Sequence, residues 1–186
     1  MVDEGPARIA VRISVVLISG IPGAGKSTVA RLLASRFTRS VHIEGDHVGH
    51  HFIVNGLVPP QGPPADEARA QLALRRRNIC LLADSFAAGG FVAVIDDVVA
   101  AVSVLDTYRT LLQTRPLAMV QLVPDIEVVR HRDAGRDKHV FDTWRHLDAE
   151  LRGLPRIGLW LDTSSLSPDE TVDRIEASLD AAIIEA

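Results

Sequence analysis

One short run of this 186-residue chain carries chemistry by itself. Gly20, Ile21, Pro22, Gly23, Ala24, Gly25, Lys26, Ser27 and Thr28 satisfy every fixed position of G-x-x-x-x-G-K-[ST]. Glycines let the backbone bend until successive N–H groups point at phosphate oxygens. A helix opening at Lys26 would aim the positive end of its dipole at the same anion. Lys26 adds a compact cation for the outer phosphates, and the Ser27 hydroxyl is a ligand for Mg²⁺. The run follows an apolar stretch and precedes a helical pattern, the setting in which this loop binds a nucleoside triphosphate.

Further candidates lie where the chain leaves its apolar runs. Asp46 follows Val41-His-Ile-Glu44. Ligands sit beyond the carboxyl ends of parallel strands, and a carboxylate there can take the proton of an attacking hydroxyl. The alternative is that Asp46 caps the next segment. Asp96 and Asp97 close a second apolar run, where a carboxylate can hold Mg²⁺. Adjacent residues point in opposite directions, so one of the pair can face the metal and the other the acceptor; Asp96 is taken for the metal and Asp97 for the acceptor, an order that the pattern leaves open. Arg132 and Arg136 are four apart and share a helix face. Two guanidinium groups there can clamp a transferring phosphoryl group; Asp133 and Asp137 beside them fit a solvated, paired face instead. His47, His50 and His51 cluster after Asp46, and no cysteine or third carboxylate near them completes a zinc site. His47 and His51 are therefore read as lining an acceptor pocket, with plain surface as the alternative. Arg69, Arg75, Arg76 and Arg77 fall on a long helical stretch and read mostly as a solvated face, with one free to reach a substrate.

These groups need a scaffold, and the pattern supplies one. Short β-branched runs near 12–19, 41–44, 91–95, 117–123 and 158–161 alternate with helical stretches at 26–37, 66–88, 104–113 and 125–151. A last helix opens with Ser167-Pro-Asp-Glu170, a capping box with proline at the first helical position. Alternating strands and helices predict an α/β three-layer sandwich with a parallel sheet. The segment 46–64, with Gly56 and four prolines, reads as an irregular flap, and 125–150 as a lid. No linker divides the chain, so 1–186 is expected to form one domain.

Composition narrows the function. Hydrophobic residues make up 47% and aromatics 4%, so the core is aliphatic. The net charge of −4 disfavours a dedicated nucleic-acid binder. Cys80 is the only cysteine, which fits a reducing compartment and a core role. No basic leader and no apolar run of ~18 residues is present, so a cytoplasmic location away from membranes is expected. No Asn-Lys-x-Asp guanine signature occurs. Oligomeric state leaves no trace in the sequence.

Taken together, Gly20 to Thr28, Glu44-Gly-Asp46, the arginine-rich 130–138 and Leu161-Asp-Thr-Ser164 resemble the small P-loop kinases. That group includes chloramphenicol phosphotransferase, zeta toxins, gluconate kinase and the kinase domain of polynucleotide kinase. The resemblance implies ATP and Mg²⁺ as cofactors and five parallel strands in the order 2-3-1-4-5. It implies that Asp46 activates an acceptor hydroxyl and that the loop 162–165, with Thr163, wraps the adenine. Polynucleotide kinases carry an arginine three residues after that aspartate; here Gly49 stands there. Its absence points to a neutral or weakly charged alcohol as acceptor, with antibiotics among the candidates. Nucleotide, sugar-acid and polynucleotide-end kinases, or a regulatory ATP-binding protein, are the alternatives.

Overall fold

The computed structural model describes residues 13–134 and 146–185. Strand β1 (Val15–Ser19) is wholly buried, because both of its faces are covered. It leads through the glycine-rich loop into α1 (Lys26–Arg36). Then follow β2 (Ser40–Glu44), α2 (Gly45–His50), α3 (Ala65–Ala88), β3 (Val92–Asp96), α4 (Val102–Leu111) and β4 (Leu117–Leu122). Helices α5 (Ile126–Ala134) and α6 (His146–Arg152), β5 (Leu159–Leu161), α7 (Pro168–Ala177) and β6 (Ile183–Glu185) complete the described chain.

The sheet has the order β2-β3-β1-β4-β5, all parallel, as the alternating pattern and the resemblance predict. Its two faces bury separate aliphatic clusters. On one face Val16, Ile18, Val94 and Val120 meet Leu33 of α1 and Val172 and Ile175 of α7. On the other, Val15, Leu17, Ile95 and Met119 meet Ile79 and Ala83 of α3 and Leu105 and Tyr108 of α4. Strand residues alternate between clusters because side chains alternate across a pleated strand. Cys80 lies in the second cluster. Burial, then the Asp84 and Asp97 charges, push its thiol up to about 12, so it packs as a neutral group. Among the described residues no helix is long and apolar enough to cross a membrane.

Two elements depart from the sequence expectation. The chain does not become irregular at Asp46: residues 45–50 form α2. Two glycines in six residues hide this helix from propensity, and packing holds it, with Val48 buried in the α3-side cluster. The second departure is β6. Strand β5 pairs only with Val120–Leu122, and β6 runs antiparallel against Leu117 and Ala118, completing a six-stranded sheet. A three-residue strand directly after a helical stretch carries too little pattern to be read from sequence.

Strand β6 covers the amino-terminal half of β4, away from the carboxyl edge. Ending the chain after Ala182 removes its pairing and the 3.0 Å Arg109–Glu185 ion pair. Thermal melting is expected to fall by roughly 5–10 °C, while ATP affinity stays within about twofold of the full chain.

Candidate active site

Parallel strands end on one edge, and the turns after β1, β2 and β3 meet there. Gly25 precedes α1 at φ 95°, a left-handed conformation in which a side chain is strained. A Cβ on Gly25 would meet nothing within 4 Å, so the space beside this turn is open, as a phosphate cradle requires. The Lys26 ammonium arches back over the loop and donates to the Ile21 carbonyl at 3.2 Å.

Asp96 and Asp97 leave the end of β3 toward opposite faces. Asp96 shares the α1 face with Val94 and has a side chain 4% exposed. Its Oδ1 accepts the Gly45 N–H at 3.3 Å, and its Oδ2 lies 3.3 Å from His42 Nε2. Burial alone would raise its carboxyl. Hydrogen bonds from His42 and Ser27, with the charges of His42 and Lys26, outweigh burial and hold it below the usual carboxylate range. Asp96 is thus a buried anion bonded to Ser27. One carboxylate and one hydroxyl beside an open phosphate site fit Mg²⁺, which keeps most of its waters and takes few protein ligands.

Asp97 turns the other way, into α3 and α4. It accepts from Arg75 Nη2 at 2.6 Å, Tyr108 OH at 2.7 Å and Arg76 Nε at 3.4 Å. Burial, then the Asp97 charge and hydrogen bond, raise the Tyr108 phenol well above its usual value, so it remains a donor. The Asp97 side chain is 2% exposed. Its contacts are therefore internal, and the reading of Asp97 as an acceptor ligand has to give way to an indirect one through Arg75.

Arg75 is the residue that sequence reasoning missed. It is not on a solvated face: it is buried, and its Nη1 reaches Asp46 Oδ1 at 3.1 Å while Nη2 holds Asp97. A Cβ at position 49 would lie 2.8 Å from Arg75 Cδ, so glycine there makes room for the arginine stem. The arginine absent from position 49 is thus replaced by one of the four on α3, which reaches Asp46 from 29 residues along the chain. A signal was available. Ala68, Leu72, Arg75, Ile79 and Ala83 are spaced by three or four, so Arg75 falls on the apolar stripe of α3.

Asp46 itself is open, with a side chain 74% exposed. His47 and His51 stack at 4.5 Å beside it, and Phe52 meets His47 edge-on at 5.8 Å. Among the described residues no three His, Cys, Asp or Glu side chains gather into a further metal site. Arg132 donates to the Thr163 carbonyl at 2.9 Å, joining α5 to the loop after β5. Arg136 lies outside the described residues.

The buried network makes a sharp stability prediction. Tyr108→Phe removes one hydrogen bond to a carboxylate and is expected to cost about 1.5–3 kcal/mol. Arg75→Ala strands Asp97 and is expected to cost about 3–5 kcal/mol in denaturant unfolding. Gly49→Ala should destabilise the natural chain but stabilise the Arg75→Ala variant, because the clash is gone and alanine favours α2. Equal effects in both backgrounds would show that Gly49 and Arg75 are not packed together.

The same fold occurs in known proteins. A sugar kinase from Janibacter sp. HTCC2649 aligns at a TM-score of 0.67 and 23% identity, over 95% of this chain and 96% of that one. The tunicamycin resistance protein of Deinococcus radiodurans aligns at 0.64 and 20%, over 94% and 100%. A gluconokinase from Sinorhizobium meliloti 1021 aligns at 0.64 and 21%, over 90% and 91%. At these identities the likeness establishes a shared fold. No curated protein sequence matches the chain significantly. A family model described as an AAA domain matches residues 16–153, from β1 through the lid. With that match over most of its length, the chain belongs to the AAA domain family, and it shares its fold with small kinases.

Proposed function

We propose that the protein transfers the γ-phosphoryl group of ATP to a hydroxyl of a small molecule. The observation that carries this reading is Asp46: an open carboxylate at the carboxyl edge, braced from behind by a buried guanidinium. A carboxylate that served only as a cap would have no need of such a brace.

In this reading Gly20 to Thr28 hold the triphosphate, with Lys26 against its outer oxygens. Ser27 and Asp96 hold Mg²⁺, which when bound neutralises phosphate charge. Arg132 and Arg136 stabilise the charge that develops on the moving group, and Thr163 with the loop 162–165 borders the adenine. Asp46 orients the acceptor hydroxyl and takes its proton, while His47, His51 and Phe52 form the pocket wall. Asp97 contributes through Arg75.

The flap at 46–64 and the lid at 125–150 belong to one catalytic unit spanning 1–186. Dependence on ATP and Mg²⁺ suits the cytoplasm.

Both amino groups of Arg75 already face carboxylates. An anionic acceptor would therefore meet no uncompensated charge on Arg75, whereas a neutral alcohol adds a hydrogen bond to Asp46 without adding charge beside two carboxylates. This supports an uncharged or weakly charged acceptor. An antibiotic is one such class, in keeping with the resistance protein among the similar structures; sugars are the other.

The test is phosphorylation from γ-labelled ATP across antibiotics, sugars, sugar acids and nucleosides, run with Asp46→Asn and Lys26→Ala beside the natural chain. Asp46→Asn is expected to bind ATP normally and to lose 10² to 10⁴ in transfer, roughly the share of general-base catalysis. Lys26→Ala should lose transfer outright. Normal transfer by Asp46→Asn would reduce Asp46 to a cap and remove the kinase reading's main residue outside the loop.

A further inference from the structure

His42 belongs to no phosphate-binding pattern, yet it lies beside the aspartate assigned to the metal. The pairing of β2 with β3 explains why. His42 is in register with Val94, and Glu44 with Asp96. Asp96 is therefore the diagonal neighbour of His42 on the α1 face, within reach of a long side chain. The contact is made: Nε2 lies 3.3 Å from Asp96 Oδ2.

A carboxylate oxygen can only accept, so the ring nitrogen facing it carries the proton. The Asp96 carboxylate is then held at both oxygens, by the Gly45 N–H on Oδ1 and by the imidazole on Oδ2, with Ser27 also bonded to it. An aspartate end group rotates about a broad, nearly two-fold torsion, so opposed donors on its two oxygens are what fix its plane. At 14% exposure the imidazole also keeps bulk water from taking over that bond.

Resting on the assignment of Ser27 and Asp96 to Mg²⁺, we propose that His42 is a positioning residue for the metal. It donates Nε2–H to Asp96 and holds the carboxylate in the plane from which the ion and its waters are bound. Partners of this kind, one step removed from a metal, typically change affinity by 10–100-fold when removed.

The test needs no acceptor. Binding of a fluorescent N-methylanthraniloyl derivative of ATP is titrated with Mg²⁺ and repeated in EDTA, with folding checked by circular dichroism. His42→Leu is expected to raise the Mg²⁺ concentration for half-maximal binding about tenfold, with no change in EDTA. His42→Gln, whose amide donates from nearly the same position, should stay within about threefold of the natural chain. His42→Asn, a milder change whose shorter amide misses Asp96, should behave like leucine and serves if the leucine variant does not fold. An unchanged Mg²⁺ midpoint in the leucine or asparagine variant overturns the proposal, as does an equal loss of binding in EDTA. Asp96→Asn separates the two readings. If it keeps full Mg²⁺ dependence, the metal assignment itself fails. If it loses that dependence while the His42 variants keep it, only the role of His42 fails.

Discussion

Two adjacent carboxylates close β3 almost out of reach of water, and most of the site is arranged around them. Burying one ionised carboxylate is costly unless it is paired and hydrogen-bonded. Burying two in succession requires partners on both faces of the sheet. The α1 face supplies Ser27, the Gly45 N–H and His42 for Asp96, with Lys26 nearby. The α3 face supplies Arg75, Arg76 and Tyr108 for Asp97. The partners come from β2, α1, α2, α3 and α4, so satisfying these charges also fixes how those elements meet at the carboxyl edge.

This arrangement separates stability from reactivity within a few ångströms. The Arg75–Asp97 bond is short and buried, whereas the Arg75–Asp46 bond is longer and its carboxylate is open to solvent. The buried bond anchors the guanidinium, and the anchored guanidinium presents a fixed cation to the mobile partner. An exposed ion pair alone would contribute little and would be screened by salt. Held from beneath, the same pair restricts where the Asp46 carboxylate can sit. Preorganisation of this kind is what a group that must meet a hydroxyl in one geometry needs.

Much of the nucleotide side was legible in the sequence, because its residues are contiguous. Nine positions from Gly20 to Thr28 specify loop, helix start and metal hydroxyl together. Strand alternation gave the layers, and opposed directions at Asp96 and Asp97 followed from the pleat. What escaped was register and long-range contact. That His42 faces Asp96 depends on β2 pairing with β3 without offset, which no local pattern specifies. That Arg75 reaches Asp46 depends on α3 lying against α2, a short helix that local propensity argues against. The three arginines at 75–77 look alike in composition, and only the position of the apolar stripe on α3 distinguishes the buried one.

The two halves of the site therefore carry different kinds of information. The proposed triphosphate half is one continuous segment that would bind through backbone N–H groups, which leaves several of its side chains free to vary. The proposed acceptor half draws on Asp46, Arg75, Asp97 and Tyr108, which are linked through side chains from separate elements. Substituting any of these alters charge or shape directly. Fold similarity by itself leaves the acceptor open to divergence. Around α2 this chain presents an open carboxylate with its charge already compensated, two stacked imidazoles and an exposed phenyl ring. That combination presents one strong hydrogen-bond acceptor against flat, weakly polar surfaces. It suits a hydroxyl carried on a ring or another extended apolar frame.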